Sequence, residues 1–390
     1  MMAALAFAAL AVWAVLLLGR GGFWLCRERD DDWPARLSAG AHWPEIVAIV
    51  PARDEAQVIE RSLGALLAQD YAGRLRIVLV DDDSSDGTAK LASAMAERLG
   101  RRDDLTILTN RAVPAGWTGK LWAVRNGLVF AEALDAPPSL VLFCDADIAL
   151  APDTLTHLAA MAVNERRVLV SLMARLSVET PAEKALIPAF VYFFAQLYPF
   201  AWVSDPAMRT AAAAGGCMLV DRVALQRAGG LESIRGAIID DCALGRLLKT
   251  QGPIRLALTR RAVSLRVYAT LHPIRRMVTR SAYAELKYSP ARLAIALTGL
   301  ALTYLLPPLA LFFGEGLARW LGLAGYVAMM ASFLPILRFY GLPLVLAATL
   351  PLVALLYGAF TFESALLHWR GRGGAWKGRY QGSPRPGDAA

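Results

Sequence analysis

Residues 76–88 read Arg76-Ile77-Val78-Leu79-Val80-Asp81-Asp82-Asp83-Ser84-Ser85-Asp86-Gly87-Thr88. A short apolar run that ends on acidic residues and a Ser/Gly/Thr turn predicts a buried strand feeding a loop and then a helix. Three adjacent carboxylates repel one another, so a fold holds them best where donors or a cation offset their charge. Ser85 or Asp86 as a helix cap accounts for part of the loop. Asp81 and Asp82, however, directly end the strand, at the edge where α/β sheets bind ligands. There a carboxylate accepts hydrogen bonds from a nucleobase imide or a ribose hydroxyl.

The flanking sequence repeats this texture. Ile46–Val50, Leu105–Leu108 and Leu140–Cys144 read as further buried strands, and Val58–Gln69 and Thr88–Gly100 as helices between them. Strands alternating with helices predict an α/β domain with a mainly parallel sheet, here placed over residues 44–272. Chemistry is therefore sought just after each strand.

Three more segments qualify. Pro51-Ala52-Arg53-Asp54-Glu55 follows the first strand and reads as the opening of a helix, whose first turn favours carboxylates. Phe143-Cys144-Asp145-Ala146-Asp147 ends the fourth, and alternation in an extended chain predicts Asp145 and Asp147 on one side. Two hard oxygen ligands so placed can hold Mg²⁺ or Mn²⁺ while leaving positions for diphosphate oxygens. Further on, Ala214-Gly215-Gly216-Cys217 suggests close backbone approach, and Ile239-Asp240-Asp241-Cys242 puts two carboxylates at the start of an amphipathic helix. Asp240 suits a helix cap, and Asp241 suits removal of a proton from an acceptor hydroxyl.

The chain has 390 residues, 56% of them apolar and 19% charged, against the roughly 25% charged residues of an ordinary soluble domain. This composition excludes disorder, collagen and a disulfide scaffold. Cys26, Cys144, Cys217 and Cys242 show no metal-ligand spacing, and reduced thiols are expected. The 41 basic and 33 acidic residues leave a net charge of +8. The positive charge flanks apolar segments, which points to anionic lipid and not to nucleic acid.

Residues 3–18 carry no charge and read as an amino-terminal anchor (domain 1–20), with Arg20 to Arg36 on the cytoplasmic side. No basic residue precedes the run, which argues against a signal peptide. A basic, amphipathic connector is expected over 273–290. Then Ala291–Phe313, Leu317–Leu337 and Tyr340–Phe362 form a transmembrane region over 291–362, kinked at Pro307-Pro308, Pro335, Pro343 and Pro351. A basic tail with Arg370, Arg372, Lys377 and Arg379 fills 363–390. Four spans would put that tail opposite Arg20–Arg36, against the positive-inside tendency, so Leu317–Leu337 is the candidate for a re-entrant segment. The aromatic stretch Glu183–Val203 reads equally as a core helix or an interfacial one.

Taken in order, the acidic segments resemble family 2 glycosyltransferases of the nucleotide-diphospho-sugar (GT-A) fold. Pro51 to Glu55 is similar to the family's P-x-x-[ND]-E, Asp81 to Thr88 to its D-D-x-S-x-D-x-T, Asp145-x-Asp147 to its metal motif and Asp240-Asp241 to its [ED]-D motif. Pro114-Ala115-Gly116-Trp117-Thr118-Gly119-Lys120-Leu121-Trp122-Ala123, Ala185 to Phe190, Ala212 to Val220 and Ile239 to Leu244 look like the hopene-associated subgroup. The resemblance implies nucleotide-sugar binding by Pro51, Arg53, Glu55, Asp81, Asp82, Lys120, Asp145 and Arg280, and a divalent cation (Mg²⁺ or Mn²⁺) on Asp147 and Asp145. It also implies Asp241 as the catalytic base of an inverting, metal-dependent hexosyl- or N-acetylhexosaminyl-transferase. The implied donor is a UDP-sugar and the acceptor a lipid of hopanoid metabolism. The implied place is the bacterial inner membrane, multi-pass, with the catalytic domain facing the cytoplasm. Where processive synthases carry Q-x-x-R-W, this chain reads Met277-Val278-Thr279-Arg280-Ser281, with the Arg alone retained. The rival expectations are a processive polysaccharide synthase and a non-catalytic membrane scaffold.

Overall fold

The computed structural model describes residues 1–110 and 112–373, and the backbone of 375–376 and 379–380. Of the basic tail, Lys377, the Arg379 side chain and residues 381–390 lie outside the described residues. The chain divides into two units, one comprising Glu28–Ser177 and Trp202–Arg266, the other Met1–Arg27, Val178–Ala201 and the chain from Val267 onward.

The first unit is built on an eight-stranded sheet: β1 (Ile46–Ala52), β2 (Leu75–Asp81), β3 (Leu105–Thr109), β4 (Leu140–Cys144), β5 (Ile148–Leu150), β6 (Leu169–Arg175), β7 (Cys217–Asp221) and β8 (Ile254–Ser264). Their order is β3-β2-β1-β4-β7-β6-β8-β5. β1 pairs in parallel with β2 and β4, and β2 with β3. Every residue of β1 and β4 is buried, as strands covered on both faces require. The sheet is mostly parallel, as the alternating pattern predicts. Two strands run against the rest: β5, antiparallel to β8, and β7, antiparallel to β6 and to β4, where Cys144 faces Cys217.

This topology gathers one edge. The carboxyl ends of β1, β2, β3 and β4 lie together because those strands run parallel. The antiparallel β7 starts where β4 stops, which brings Gly215 and Gly216 to the same edge. β6 returns antiparallel to β7, and β8 runs parallel to β6, so the end of β8 arrives there too.

One local expectation is corrected. Pro51 and Ala52 continue β1, and the next helix starts only at Ile59. Residues 53–58 form a turn because the acidic loop holds them: Glu55 N donates to Thr88 Oγ1 (2.9 Å) and Ala56 N to Asp86 Oδ2 (2.8 Å). Asp54 there adopts a left-handed φ of 48°.

In the second unit, four helices are long and apolar enough to cross a membrane among the described residues: Met2–Gly19, Pro290–Phe313, Leu317–Tyr340 and Leu344–Trp369. Phe7, Leu18, Ile295, Phe313, Trp320 and Leu352 are among the large apolar side chains that this unit leaves exposed. Such a surface is unfavourable in water and suited to lipid. Leu317–Tyr340 is one continuous helix of 24 residues, long enough to cross a membrane. A π-turn at Ala301–Leu305 precedes Pro307, and Thr303 O, four residues before that proline, accepts from Trp13 Nε1 at 2.8 Å. The aromatic stretch forms a helix, Pro181–Leu197, that packs inside this unit. Tyr192 is buried, its hydroxyl 2.7 Å from Ser332 Oγ, and Tyr357 donates to Leu186 O at 2.9 Å. One face of this helix is thus packed, through Leu186, Ile187, Val191 and Tyr192, while Leu197 at its end stays exposed. Arg20 donates to Gln196 O and Leu197 O (3.0 and 3.1 Å), a cation on the helix's carboxyl end.

Candidate active site

At the gathered edge, Lys120 stands at the centre of an acidic cluster. It opens the helix Gly119–Glu132, which Thr118 caps by accepting from Leu121 N. Its Nζ lies 2.8 Å from Asp145 Oδ1 and 3.2 Å from Asp240 Oδ2. Burial favours the neutral amine, but Asp145, Asp240 and Asp241 outweigh it and lift the Lys120 pKa above the ordinary value. Pro51, Lys120, Phe143, Asp145, Gly215 and Asp240 line one cavity.

Asp241 joins this cluster from the first turn of the helix Asp240–Lys249. Its Oδ2 accepts from Gly215 N at 2.9 Å and its Oδ1 from Cys242 N at 2.7 Å. Burial pushes its carboxyl up, Asp240 adds to that, and Lys120 with the two N–H donors restrains it, leaving a pKa of about 6. Gly215 permits the contact: a Cβ there would lie 3.3 Å from both Asp241 Oδ2 and Lys120 Nζ. Ile239, not Asp240, occupies the cap position, without a side-chain hydrogen bond.

The helix is held by a second close approach. A Cβ on Gly245 would fall 2.6 Å from Ala212 C and 2.9 Å from Ala212 O, backbone atoms that cannot rotate away. Gly245→Ala is expected to cost about 1–3 kcal/mol of stability through overpacking and to lower activity by shifting Asp241 from Gly215. Thermal unfolding and turnover of the purified variant check this.

Asp145 and Asp147 are not placed by strand alternation. β4 ends at Cys144, and residues 145–147 form a turn closed by Ile148 N donating to Asp145 O at 3.1 Å. The two carboxylates consequently meet different cations. Asp145 meets Lys120, whereas Asp147 Oδ2 accepts from Arg266 Nε at 2.8 Å. Arg266 Nη2 also donates to Glu55 Oε1 at 3.0 Å. Among the described residues no three or more His, Cys, Asp or Glu side chains are grouped to hold a metal.

The ends of β1 and β2 form a neighbouring subsite. Asp82 is buried, and Arg53 Nη1 donates to its carbonyl at 2.7 Å and to Oδ2 at 3.4 Å. Asp81 is buried as well; Ser84 N donates to its Oδ2 at 3.4 Å, while Oδ1 has no partner. Asn110, after β3, donates its backbone N–H to Asp81 O at 2.8 Å and buries an Nδ2 without a partner. Arg280 belongs to the other unit, on the helix Leu271–Glu285.

The glycosyltransferase-like family 2 description matches residues 44–282. The chain belongs to this family. The glycosyltransferase-like domain is related to two N-acetylglucosaminyltransferases. The one from Rhizobium leguminosarum bv. viciae is 33% identical over 117 residues, 30% of this chain and 25% of the relative. That from Mesorhizobium japonicum is 31% identical over 123 residues, 31% of this chain and 26% of the relative. The match thus spans about a quarter of the length of each relative. Among solved structures, the mannosyltransferase PcManGT of Pyrobaculum calidifontis, in complex with GDP-Man and Mn²⁺, shares the fold with a TM-score of 0.57 and 21% identity. That alignment covers 95% of this chain and 99% of PcManGT. This family 2 glycosyltransferase accordingly has the GT-A-like fold, with helices at both ends that can span a membrane.

Sequence reading overlooked Arg266 and Asn110 in this glycosyltransferase. Arg266 is one arginine among many, and only the long-range pairing of β8 with β5 brings it to Asp147. Asn110 follows a five-residue strand with no acidic or glycine signal beside it.

Proposed function

We propose that the protein is a membrane-bound, inverting glycosyltransferase that moves a sugar from a nucleotide-diphospho-sugar to a lipid acceptor of hopanoid metabolism, at the cytoplasmic face of a bacterial inner membrane. The observation that carries the reading is the meeting of Asp241 with Lys120, Asp145 and Asp240 beside one cavity at the ligand-binding edge. The buried Asp81 Oδ1 lacks a donor, and a nucleobase imide or ribose hydroxyl would supply one. Asp82, held by Arg53, borders that subsite. A UDP-sugar carrying N-acetylglucosamine suits the two related N-acetylglucosaminyltransferases.

Asp145 and Asp147 offer hard oxygen donors, but only two side chains. That set would suit Mg²⁺ or Mn²⁺, which take hard oxygen donors and keep positions open for substrate oxygens and water. When bound, the cation offsets charge on the departing diphosphate. Asp241 takes the acceptor hydroxyl's proton, and its two backbone N–H contacts fix the carboxylate's orientation for that transfer. A lipid acceptor suits a chain whose apolar helices hold it in the bilayer where that lipid resides.

Because the Asp241 pKa is raised to about 6, the base is ionised above that pH and protonated below it. The expected kcat/KM is flat above about pH 7 and falls about tenfold per unit below pH 6. A rate–pH profile checks this.

The reading itself is tested by giving the purified protein labelled UDP-N-acetylglucosamine, Mn²⁺ and bacterial lipid extract. The expected product is one lipid species heavier by one sugar. A ladder of products would indicate a processive synthase. Absence of both transfer and donor binding would favour the scaffold.

A further inference from the structure

Glu55 and Asp147 come from separate loops, the turn after β1 and the turn between β4 and β5, and one side chain ties them. Arg266 Nε donates to Asp147 Oδ2 at 2.8 Å, and Nη2 donates to Glu55 Oε1 and Oε2 at 3.0 and 3.3 Å. Arg266 is tethered to the turn that it neutralises. Ile148 pairs with Ser264 in the β5–β8 ladder, Leu265 N donates to Asp147 O at 2.8 Å, and Arg266 N donates to Ser264 Oγ at 3.3 Å. A guanidinium reaches two carboxylates from separate nitrogens held in one rigid plane, whereas an ammonium offers a single nitrogen on a flexible stem. Lys120 plays the matching part for Asp145 and Asp240. Both carboxylates of the Asp-x-Asp segment are therefore compensated by cations of the chain itself.

We propose that Arg266 is a positioning residue that occupies the Asp147–Glu55 gap as a resident cation and makes uptake of a divalent cation conditional on a nucleoside diphosphate. The inference rests on the reading that Asp147 holds that cation. A divalent cation arriving alone meets a carboxylate already paired, and its two charges repel the displaced guanidinium across a few ångströms. A diphosphate arriving with it supplies oxygens that accept the guanidinium in place of Asp147, by charge-assisted and bidentate hydrogen bonds. The exchange swaps ion pairs without leaving a charge unpaired. Cation and nucleotide are then linked reciprocally, each raising the other's affinity by one factor.

The test is Mn²⁺ binding to the purified full-length protein, read from the EPR signal of free Mn²⁺, with and without saturating UDP. Wild type is expected to bind Mn²⁺ weakly alone and tightly with UDP. Arg266→Gln is expected to bind Mn²⁺ alone about tenfold or more tightly, the loss of one charged hydrogen-bond partner, and to narrow the gap made by UDP by the same factor. Arg266→Lys keeps the charge but not the two-carboxylate span, and is expected to fall between the two. Should Arg266→Gln fail to fold, the comparison of Arg266→Lys with wild type decides. UDP-free affinity that is unchanged or weaker in the folded variants overturns the inference while leaving the cation site in place. Absence of Mn²⁺ binding by wild type even with UDP overturns the Asp147 reading underneath it.

Discussion

Asp241→Asn is expected to lower kcat by roughly 10²–10⁴-fold, the usual contribution of a positioned general base, while the Kd for the nucleotide-sugar changes little. Asp241 is half-buried against Gly215 and Cys242, and its carboxylate is poised to be ionised at neutral pH yet basic enough to accept a proton. The amide of Asn has nearly the same shape but no basicity. It also keeps only one accepting oxygen for the two backbone N–H donors, so a modest fall in thermal stability accompanies the loss of turnover. Calorimetric titration of the donor, beside single-turnover rates, separates the two effects. Lost binding with an unchanged chemical step would assign Asp241 to donor recognition instead.

Lys120→Met is expected to produce the largest change in stability, about 3 kcal/mol at pH 7–8, because it strands carboxylates in a half-buried cluster that solvent screens only in part. In the wild-type protein Lys120 lies between Asp145 and Asp240, with Asp241 adjoining, and no other basic side chain is paired with Asp145 or Asp240 among the described residues. The methionine leaves those charges facing one another across the cavity. The sign of the pH effect follows. Burial already holds the Asp145 and Asp241 carboxyls above their usual values, and loss of the ammonium raises them further. Protonation then relieves the repulsion, so the gap between variant and wild type shrinks as pH falls from 8 towards 5. Thermal unfolding in detergent at several pH values measures it. A gap that widens on acidification would contradict the account.

How much was legible in the sequence depends on how local each feature is. β1 and β4 are uninterrupted apolar runs, β2 and β3 are broken only by Arg76 and Thr106, and acidic segments follow β1, β2 and β4, so these strands and motifs are visible without knowledge of the fold. The shape of the Asp145–Asp147 segment is not, because the apolar texture resumes at Ile148 and hides a turn between two short strands. The turn at 53–58 is equally concealed, since side chains of the acidic loop, some thirty residues on, hold its N–H groups. Arg266 depends on β8 reaching β5 from more than a hundred residues away. The helix Pro181–Leu197 looks ambiguous in sequence because aromatic residues serve a core and a lipid boundary alike. The hydroxyl of Tyr192 on Ser332 fixes one face as packed, a long-range contact that the local sequence does not show.

The most direct measurement is a structure of the full-length protein with Mn²⁺ and a non-transferable UDP-sugar analogue. The account predicts the uracil and ribose at Asp81 and Asp82, the cation held by Asp145 and Asp147, Arg266 released from Asp147, and Asp241 facing the anomeric carbon from the side opposite the diphosphate. An analogue bound away from the ends of β1, β2 and β4, or an Asp241 carboxylate turned from the anomeric carbon, would contradict it.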